Sequence, residues 1–299
     1  MPIIRVSMRG EIGVEQVGTG LYLIVFSVAI LILISLGLAV IFGMMRVINL
    51  AQGEFIMLGA YACVLAGDAG LPLWAAFIVA ALLVGLFGVV VERLIIRFLY
   101  GRIIDTLLAT WGLSLFLVGA VTTLFGPQGR SVSTSFGNVS IGGTNVSSYN
   151  LVLIGIAVAM LAATWALARF TTFGLLVRGT MQDPTVASAL GVNRGLIYMA
   201  TFGYGSALAG LAGAVLAPIT GAAPTMGVFF VAKAFITVIA GGHLPLLGTM
   251  GAAGLFGAID GVVSYVRSSV AGEVTVLIVA IVLLRLLPLG LTGRLRTGL

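Results

Sequence analysis

Three polar side chains stand between two strongly apolar stretches of the sequence. Asn49, Gln52 and Glu54 lie within six residues of one another, and Gly53 among them gives the backbone freedom to leave a helix. Amide and carboxylate groups at membrane depth are stable only against other protein or a watery cavity. The segment therefore predicts a polar lining for a solute path. An ordinary interfacial loop is the alternative.

A second interruption of the apolar pattern comes late in the chain. Gly241 and Gly242 are followed by His243 and Pro245. A glycine-broken segment in each half of a chain points to a transporter's binding site near the membrane midplane, so we expect the two glycines to line the same path. His243 is the only histidine, which excludes a histidine cluster for a metal. We expect it to be a hydrogen-bonded loop or helix-end residue.

The stretch from 171 to 194 predicts a two-turn helix that stands alone between two membrane spans. An Asp-Pro pair is a favourable helix start, and a glycine seven residues beyond it is a favourable stop. So short a helix buries little against its own chain, and we expect it to dock into a partner; a helix lying on the membrane surface is the alternative. The residues assigned to this docking helix are Asp183, Pro184, Ala187, Ser188, Leu190 and Gly191.

One segment also allows a catalytic interpretation. The segment Gly203-Tyr-Gly205-Ser206, with His243 downstream, resembles the serine–histidine dyad of intramembrane rhomboid-type proteases. A nucleophilic serine needs a base within hydrogen-bond distance and donors for the oxyanion. The glycine spacing also fits close packing of membrane helices, which we favour.

The elements that must position these residues follow from the composition. Of 299 residues, 60% are hydrophobic and 8% are charged, and the mean hydropathy is +1.23. Soluble domains carry about a quarter charged residues, so a soluble enzyme, a disordered regulator and a disulfide scaffold are excluded. Cys63 is the single cysteine and forms no intrachain disulfide. The net charge of +6 is dispersed between apolar blocks, which suits an anionic membrane surface and not nucleic acid.

The predicted fold class is an all-α, polytopic membrane helix bundle with about eight transmembrane helices plus short re-entrant or broken segments. The piece over 55–67 is too short to cross comfortably and is predicted to be a half-helix or a re-entrant segment. The predicted spans are 17–45, 71–91, 106–125, 151–167, 195–219, 228–239, 246–266 and 274–287.

Arginine placement predicts the orientation. Arginines cluster in 93–102, in 169–194 and in 294–296, whereas the loop 127–150 carries Arg130 as its only charge. Because arginine and lysine concentrate in cytoplasmic loops, the three clusters are predicted to be cytoplasmic and 127–150 external. Lys233 and Asp260 lie within apolar runs, where charges need partners; they pair with each other, or one of them faces the path.

The sequence from Gly43 to Tyr61 resembles the signature of the LivH-type permeases of ABC importers, which serve branched-chain amino acids and, in a close branch, urea and short amides. That family usually has His at the position of Gln52. The segments 187–191 and 238–248 are similar to the family's cytoplasmic coupling loop and third region. The resemblance covers the chain from about residue 20, and implies one permease domain over 1–299, with 169–194 as coupling loop.

Within the family, the segment 105–115 is more similar to the urea-permease branch than to the leucine branch, and urea or short amides are the predicted solute. Branched-chain amino acids are the alternative. The resemblance implies a second, LivM-like permease subunit, two ATP-binding subunits, an extracytoplasmic solute-binding protein, and a location in the bacterial inner membrane.

No GxxxxGK[ST] motif for ATP occurs in the sequence, so ATP and magnesium are expected on partner chains and no cofactor on this one. The chain is thus predicted to be a transport subunit and not an enzyme. A passive channel for urea or water is the rival from another class, and it has no need of the docking helix.

Overall fold

The computed structural model describes residues 14–132, 136–141, 144–242 and 244–293. The predicted all-α bundle is confirmed, with one small hairpin of β1 (Asn138–Ile141) and β2 (Thr144–Ser147) in the 127–150 loop. The helices are α1 (Val14–Met45), α2 (Gln52–Asp68), α3 (Leu73–Leu94), α4 (Ile103–Phe125), α5 (Ser148–Phe170), α6 (Thr172–Gln182), α7 (Pro184–Ala189), α8 (Arg194–Thr220), α9 (Met226–Gly241), α10 (Pro245–Val266) and α11 (Ser269–Leu286).

Seven of the described helices are long and apolar enough to cross a membrane: α1, α3, α4, α5, α8, α10 and α11. The predicted half-helix or re-entrant segment over 55–67 forms as α2, which at 17 residues is longer than predicted. The predicted span over 228–239 forms as α9, which has 16 residues. At about 24 Å it is shorter than the roughly 30 Å hydrocarbon core.

Side-chain contacts show which helix ends lie on the same side of the bundle. Tyr22, near the start of α1, accepts a hydrogen bond from Asn150 at the start of α5 (2.7 Å). Asp68, at the end of α2, forms an ion pair with Arg130 (3.7 Å). We call this end, which carries the 127–150 loop, the external end, following the charge pattern, and the arginine-rich end the cytoplasmic end. On this orientation α1 begins at the external end.

The first four and the last four helices form an inverted repeat. Each set consists of a long helix, a short helix and two long helices, and α1 runs from the external to the cytoplasmic end whereas α8 runs the other way. Helix α3 packs along α8, and α10 packs along α1 in the corresponding position. The two short helices, α2 and α9, pack on each other. Paired short helices between repeats are a common plan in transporters.

Glycines bring these helices into backbone contact. α1 and α8 cross where Gly37 meets Gly205, and a Cβ on Gly205 would lie 2.9 Å from the Gly37 carbonyl oxygen. α2 and α8 meet at Gly59 and Gly210, where a Cβ on Gly59 would overlap the Gly210 backbone. Membrane helices associate through such close van der Waals packing because lipid provides no hydrophobic driving force.

Ser206 belongs to this packing and not to a catalytic dyad. It is buried, its hydroxyl donates to the Phe202 carbonyl oxygen (2.8 Å), and a Cβ on Gly88 of α3 would overlap it. His243, the other residue of the protease interpretation, lies outside the described residues.

The predicted helix between the spans forms as α7. The Asp183 carboxylate accepts hydrogen bonds from the backbone N–H groups of Thr185 (2.8 Å) and Val186 (3.0 Å), and Gly191 ends the turn with φ of +86°. The expectation that this helix stands alone is wrong, because the 11-residue α6 leads directly into it. Leu190 is 79% exposed and Val186 54%, so α7 presents apolar side chains outward.

Lys233 finds a partner that the sequence analysis did not name. Its ammonium lies 2.7 Å from the carboxylate of Glu273 and joins α9 to α11. Asp260 instead lies beside Ser264 (3.5 Å) on its own helix, so the alternative that Lys233 and Asp260 pair is wrong.

Candidate functional site

The polar segment between α1 and α2 folds back into the bundle. Arg46 closes α1 by donating its backbone N–H to the Phe42 carbonyl oxygen (2.9 Å), and its φ of +54° turns the chain sharply. Asn49 then organises the turn: its Oδ1 accepts from the Ala51 N–H (3.2 Å), and its Nδ2 donates to Gln52 Oε1 (3.3 Å). The Asn49 side chain therefore shapes the start of α2.

Gln52 lies deep in the protein and on the side of α1 and α8. A Cβ on Gly37 would lie 2.8 Å from Gln52 Nε2, so the amide is pressed against the crossing at Gly37 and Gly205. Gly37 is eight residues, about 12 Å, from the cytoplasmic end of α1. Asn49 and Gln52 are fully buried, and Nε2 of Gln52 has no hydrogen-bond partner among the described residues.

The N-terminal ends of α2 and α9 meet at this depth. Gly53 and Gly227 are in backbone contact, and a Cβ on Gly227 would lie 2.7 Å from the Gly53 carbonyl carbon. Helix N-termini carry partial positive charge and unpaired N–H groups. Their convergence favours an anionic or carbonyl group nearby.

Glu54 lies on another side of α2, facing α4. Residues two apart on an α-helix point about 200° apart, so Gln52 and Glu54 point in nearly opposite directions. The Ser114 hydroxyl of α4 faces the Glu54 carboxyl group. Glu54 is 1% exposed, and its Oε2 has no hydrogen-bond partner in the described part of the chain. The structure thus places Asn49 and Gln52 together and separates Glu54 from them.

Helix α4 carries a row of hydroxyl groups on the side that faces Leu50 and Glu54. Thr106, Thr110 and Ser114 are spaced four apart and share one face. The Thr110 hydroxyl accepts from the Leu50 N–H (3.1 Å) and lies 3.3 Å from the Ile48 carbonyl oxygen. These three residues were not predicted as site residues, although hydroxyls four apart in an apolar helix are a readable signal.

Further polar side chains follow along α2 toward the external end. Tyr61 and Asp68 follow Glu54 at intervals of seven residues and share its face. The Tyr61 ring lies 4.9 Å from the Phe125 ring of α4, and its buried hydroxyl has no partner among the residues described. We call the set Glu54, Tyr61, Asp68, Thr106, Thr110 and Ser114 the α2–α4 column.

Arg130 closes the external end of this column. Besides its ion pair with Asp68, its guanidinium lies 5.5 Å from the centre of the Phe125 ring. Its backbone N–H donates to the Ala222 carbonyl oxygen (2.8 Å), and Ala222 donates back (2.7 Å). One residue therefore joins α2, α4, the external loop and the segment before α9.

The cytoplasmic end of the column reaches a cavity of about 780 Å³. Thr106 lies in its wall, beside Val47 and Ile103. Glu92 also lies in its wall, where it accepts a hydrogen bond from the Tyr100 hydroxyl. Burial, and next the bond to Glu92, raise the pKa of Tyr100 well above its usual range, so the phenol stays protonated.

The structure does not bring Gly241 and Gly242 to the column. They end α9, whose other end carries Gly227, about 21 Å away. Gly241 packs against Gly248, and Gly242, with φ of +83°, lies against Gly290. Their assignment to the path remains a prediction from sequence.

A multi-pass bundle with an inverted repeat, two meeting half-helices and a buried polar column defines a membrane transport protein. The chain belongs to the family described as "Branched-chain amino acid transport system / permease component", which matches residues 20–287. It is therefore an ABC-importer permease subunit, a transport component and not an enzyme, located in the inner membrane.

Named relatives agree with this family. The permease BraD of Pseudomonas aeruginosa, from a high-affinity branched-chain amino acid transport system, is 31% identical over 286 residues. LivH of Salmonella typhimurium is 28% identical over 280 residues. Each comparison covers 88% of this chain and 91% of the relative. The structure of PsaBC from Streptococcus pneumoniae in complex with Fab shares the fold at 15% identity, with a TM-score of 0.51, over 92% of this chain and 93% of that one.

Proposed function

We propose that the chain moves its solute along the α2–α4 column by alternating access, driven by ATP on partner chains. The observation that carries this proposal is the column itself: a buried carboxylate and a row of hydroxyls run from the Arg130 closure to the cytoplasmic cavity. Buried polar groups are costly in a membrane, and unpaired ones such as Glu54 Oε2 and the Tyr61 hydroxyl favour a passing ligand as partner.

The partners follow from family membership. A second permease subunit of LivM type would cover the exposed apolar face of α4, two ATP-binding subunits would bind ATP and magnesium, and an extracytoplasmic solute-binding protein would deliver the solute. Helix α7 presents Val186 and Leu190 as the contact for an ATP-binding subunit. The two large apolar side chains suit insertion into a groove. A passive channel would leave this exposed contact without a purpose.

We propose branched-chain amino acids as the solute. The named relatives transport them, and the chain offers groups that suit a zwitterion with an apolar side chain. The Glu54 carboxylate is an acceptor for an ammonium group, and the meeting N-termini of α2 and α9 favour a carboxylate.

Urea or short amides, favoured by the sequence, form the second candidate. The similarity of 105–115 to the urea branch now coincides with a structural feature, since Thr110 and Ser114 lie in that segment and face the column. Urea is neutral and rich in N–H donors, and hydroxyl and carboxylate oxygens accept such donors.

Uptake distinguishes the candidates. Cells with and without this gene are given labelled leucine and labelled urea under nitrogen limitation. Loss of leucine uptake alone supports the proposed solute, and loss of urea uptake alone supports the second candidate. Vanadate-insensitive flux through this chain without its partners would contradict an importer and favour a channel.

A further inference from the structure

The cytoplasmic cavity collects arginines from separate parts of the chain. Arg46 follows α1, Arg93 ends α3, Arg97 lies in the turn after it, Arg102 precedes α4 and Arg194 begins α8. We call the cavity that these five residues line the arginine cavity. An excess of arginine is expected in cytoplasmic loops, and here arginines from three separate loops line one cavity.

These guanidinium groups are poorly neutralised. In the described part of the chain, Arg102 alone of the five forms an ion pair with a carboxylate, Asp105 at 3.7 Å, and both are well exposed. Glu92, the carboxylate in the wall, is 1% exposed; its Oε1 accepts from the Tyr100 hydroxyl, and its Oε2 has no hydrogen-bond partner among the described residues. Like charges gathered in a concave site produce a positive potential that concentrates anions. A bound anion would neutralise these arginines.

The surroundings of the cavity favour a lipid. Leu94, Phe98 and Ile104 are exposed apolar side chains that follow the wall residues Arg93, Arg97 and Ile103 directly in sequence, at the ends of the lipid-facing helices α3 and α4. Phe98 also lies under the Arg97 guanidinium, with 4.9 Å to the ring centre. At about 780 Å³, the hollow is larger than a lone phosphate needs. We propose that the arginine cavity binds the phosphate group of an anionic phospholipid, whose acyl chains lie along these apolar side chains.

Guanidinium groups match phosphate oxygens in paired hydrogen bonds, and basic pockets between membrane helices on the cytoplasmic side suit lipid headgroups. The bound headgroup connects two functional segments. Arg46 starts the segment that leads to Gln52, and Gln182 and Pro184, in the same wall, lead into α7. Occupancy therefore ties the start of the column to the contact for the ATP-binding subunit. This inference does not depend on which solute is carried.

The test uses the purified full-length chain. Co-purified phospholipids are measured by native mass spectrometry, and thermal stability is measured with phosphatidylglycerol, phosphatidylcholine or inorganic phosphate added. The R93Q/R97Q variant is expected to lose phosphatidylglycerol affinity by about tenfold or more. The control R169Q/R178Q removes two exposed cytoplasmic arginines outside the cavity and should retain it.

Arg93 also donates to the Met199 sulfur (3.0 Å), so R97Q alone and the charge-retaining R97K serve as second variants. R97K should keep most of the affinity. Stabilisation by inorganic phosphate as strong as by phosphatidylglycerol supports the phosphate site but identifies a free anion as its source. Equal phosphatidylglycerol binding by R93Q/R97Q and R169Q/R178Q would overturn the proposal. So would an arginine dependence seen only with the ATP-binding subunits present, which would assign the cavity to partner carboxylates.

Discussion

Gly53 and Gly227 hold the N-terminal ends of two half-length helices in direct backbone contact, and neither position has space for a side-chain carbon. The contact joins the first repeat of the molecule to the second, because α2 belongs to one and α9 to the other.

The first prediction follows from that contact. Gly53→Ala should force the two helices apart and lower thermal stability in detergent, by about 1–3 kcal/mol as in other overpacked sites. Gly112→Ala is the matched control, since a Cβ there meets nothing within 4 Å. A melting temperature for Gly53→Ala equal to that of the control would show that Gly53 and Gly227 leave space for a side-chain carbon.

Glu54 is the residue whose loss should most affect transport. Glu54→Gln keeps the shape and removes the charge, and loss of a charged hydrogen-bond acceptor should lower initial uptake about 10-fold to 100-fold at unchanged protein level. Asp105→Asn is the control, because its ion pair with Arg102 is exposed and contributes little. Uptake by Glu54→Gln within twofold of wild type would remove Glu54 from the path.

Thr110 should hold the segment between α1 and α2 in position. Thr110→Val has a similar shape but leaves the Leu50 N–H without its acceptor, at a cost of about 1–3 kcal/mol. We expect lower thermal stability together with reduced uptake. Thr123→Val, which removes an exposed hydroxyl bonded only within its own helix at Gly119, should be nearly neutral. Equal effects of the two substitutions would assign Thr110 to general helix packing.

Arg130 should hold the external end closed. Arg130→Ala removes the ion pair to Asp68 and the contact with Phe125, and the backbone pairing with Ala222 should then open more often. Amide hydrogen exchange of Ala222 is expected to accelerate, whereas Arg267→Ala, an exposed charge in another turn, should leave it unchanged. Unaltered exchange would mean that the backbone pair alone closes the path.

Leu190 tests the coupling role of α7. Leu190→Asp should leave the chain folded, since the side chain is exposed, but uncouple ATP hydrolysis by the assembled transporter from uptake. Leu175→Asp on the preceding helix is a control of similar exposure. Normal uptake with Leu190→Asp would remove the argument that this helix docks on an ATP-binding subunit.

Local features were predictable from the sequence to different degrees. The Asp183-Pro184 start and Gly191 stop of α7 depend on neighbouring residues alone, and they form as expected. The half-helix after Gly53 was predictable because an apolar piece too short to span must begin inside the bundle. The segment 228–239 is likewise too short to cross a membrane, and it forms the 16-residue α9. The site prediction named Gly241 and Gly242 at the C-terminal end of α9 and did not name Gly227 at its start.

What the sequence could not provide is the direction in which each side chain points. Asn49, Gln52 and Glu54 are neighbours in sequence, yet the helix that begins at Gln52 turns Glu54 toward α4 and Gln52 toward α1 and α8. Which helix lies opposite is decided by tertiary packing. For the same reason Lys233 found Glu273, a residue outside the candidate pair.

The unequal lengths of α1 and α11 have a consequence for the surrounding bilayer. α1 has 32 residues, about 48 Å, and α11, on the lipid-facing periphery, has 18, about 27 Å. The central helix must tilt or project, while the peripheral one barely matches a hydrocarbon thickness of about 30 Å. Hydrophobic mismatch then thins the lipid bilayer next to α11. Transport should therefore be fastest in lipids of moderate acyl-chain length and should slow as the acyl chains are lengthened.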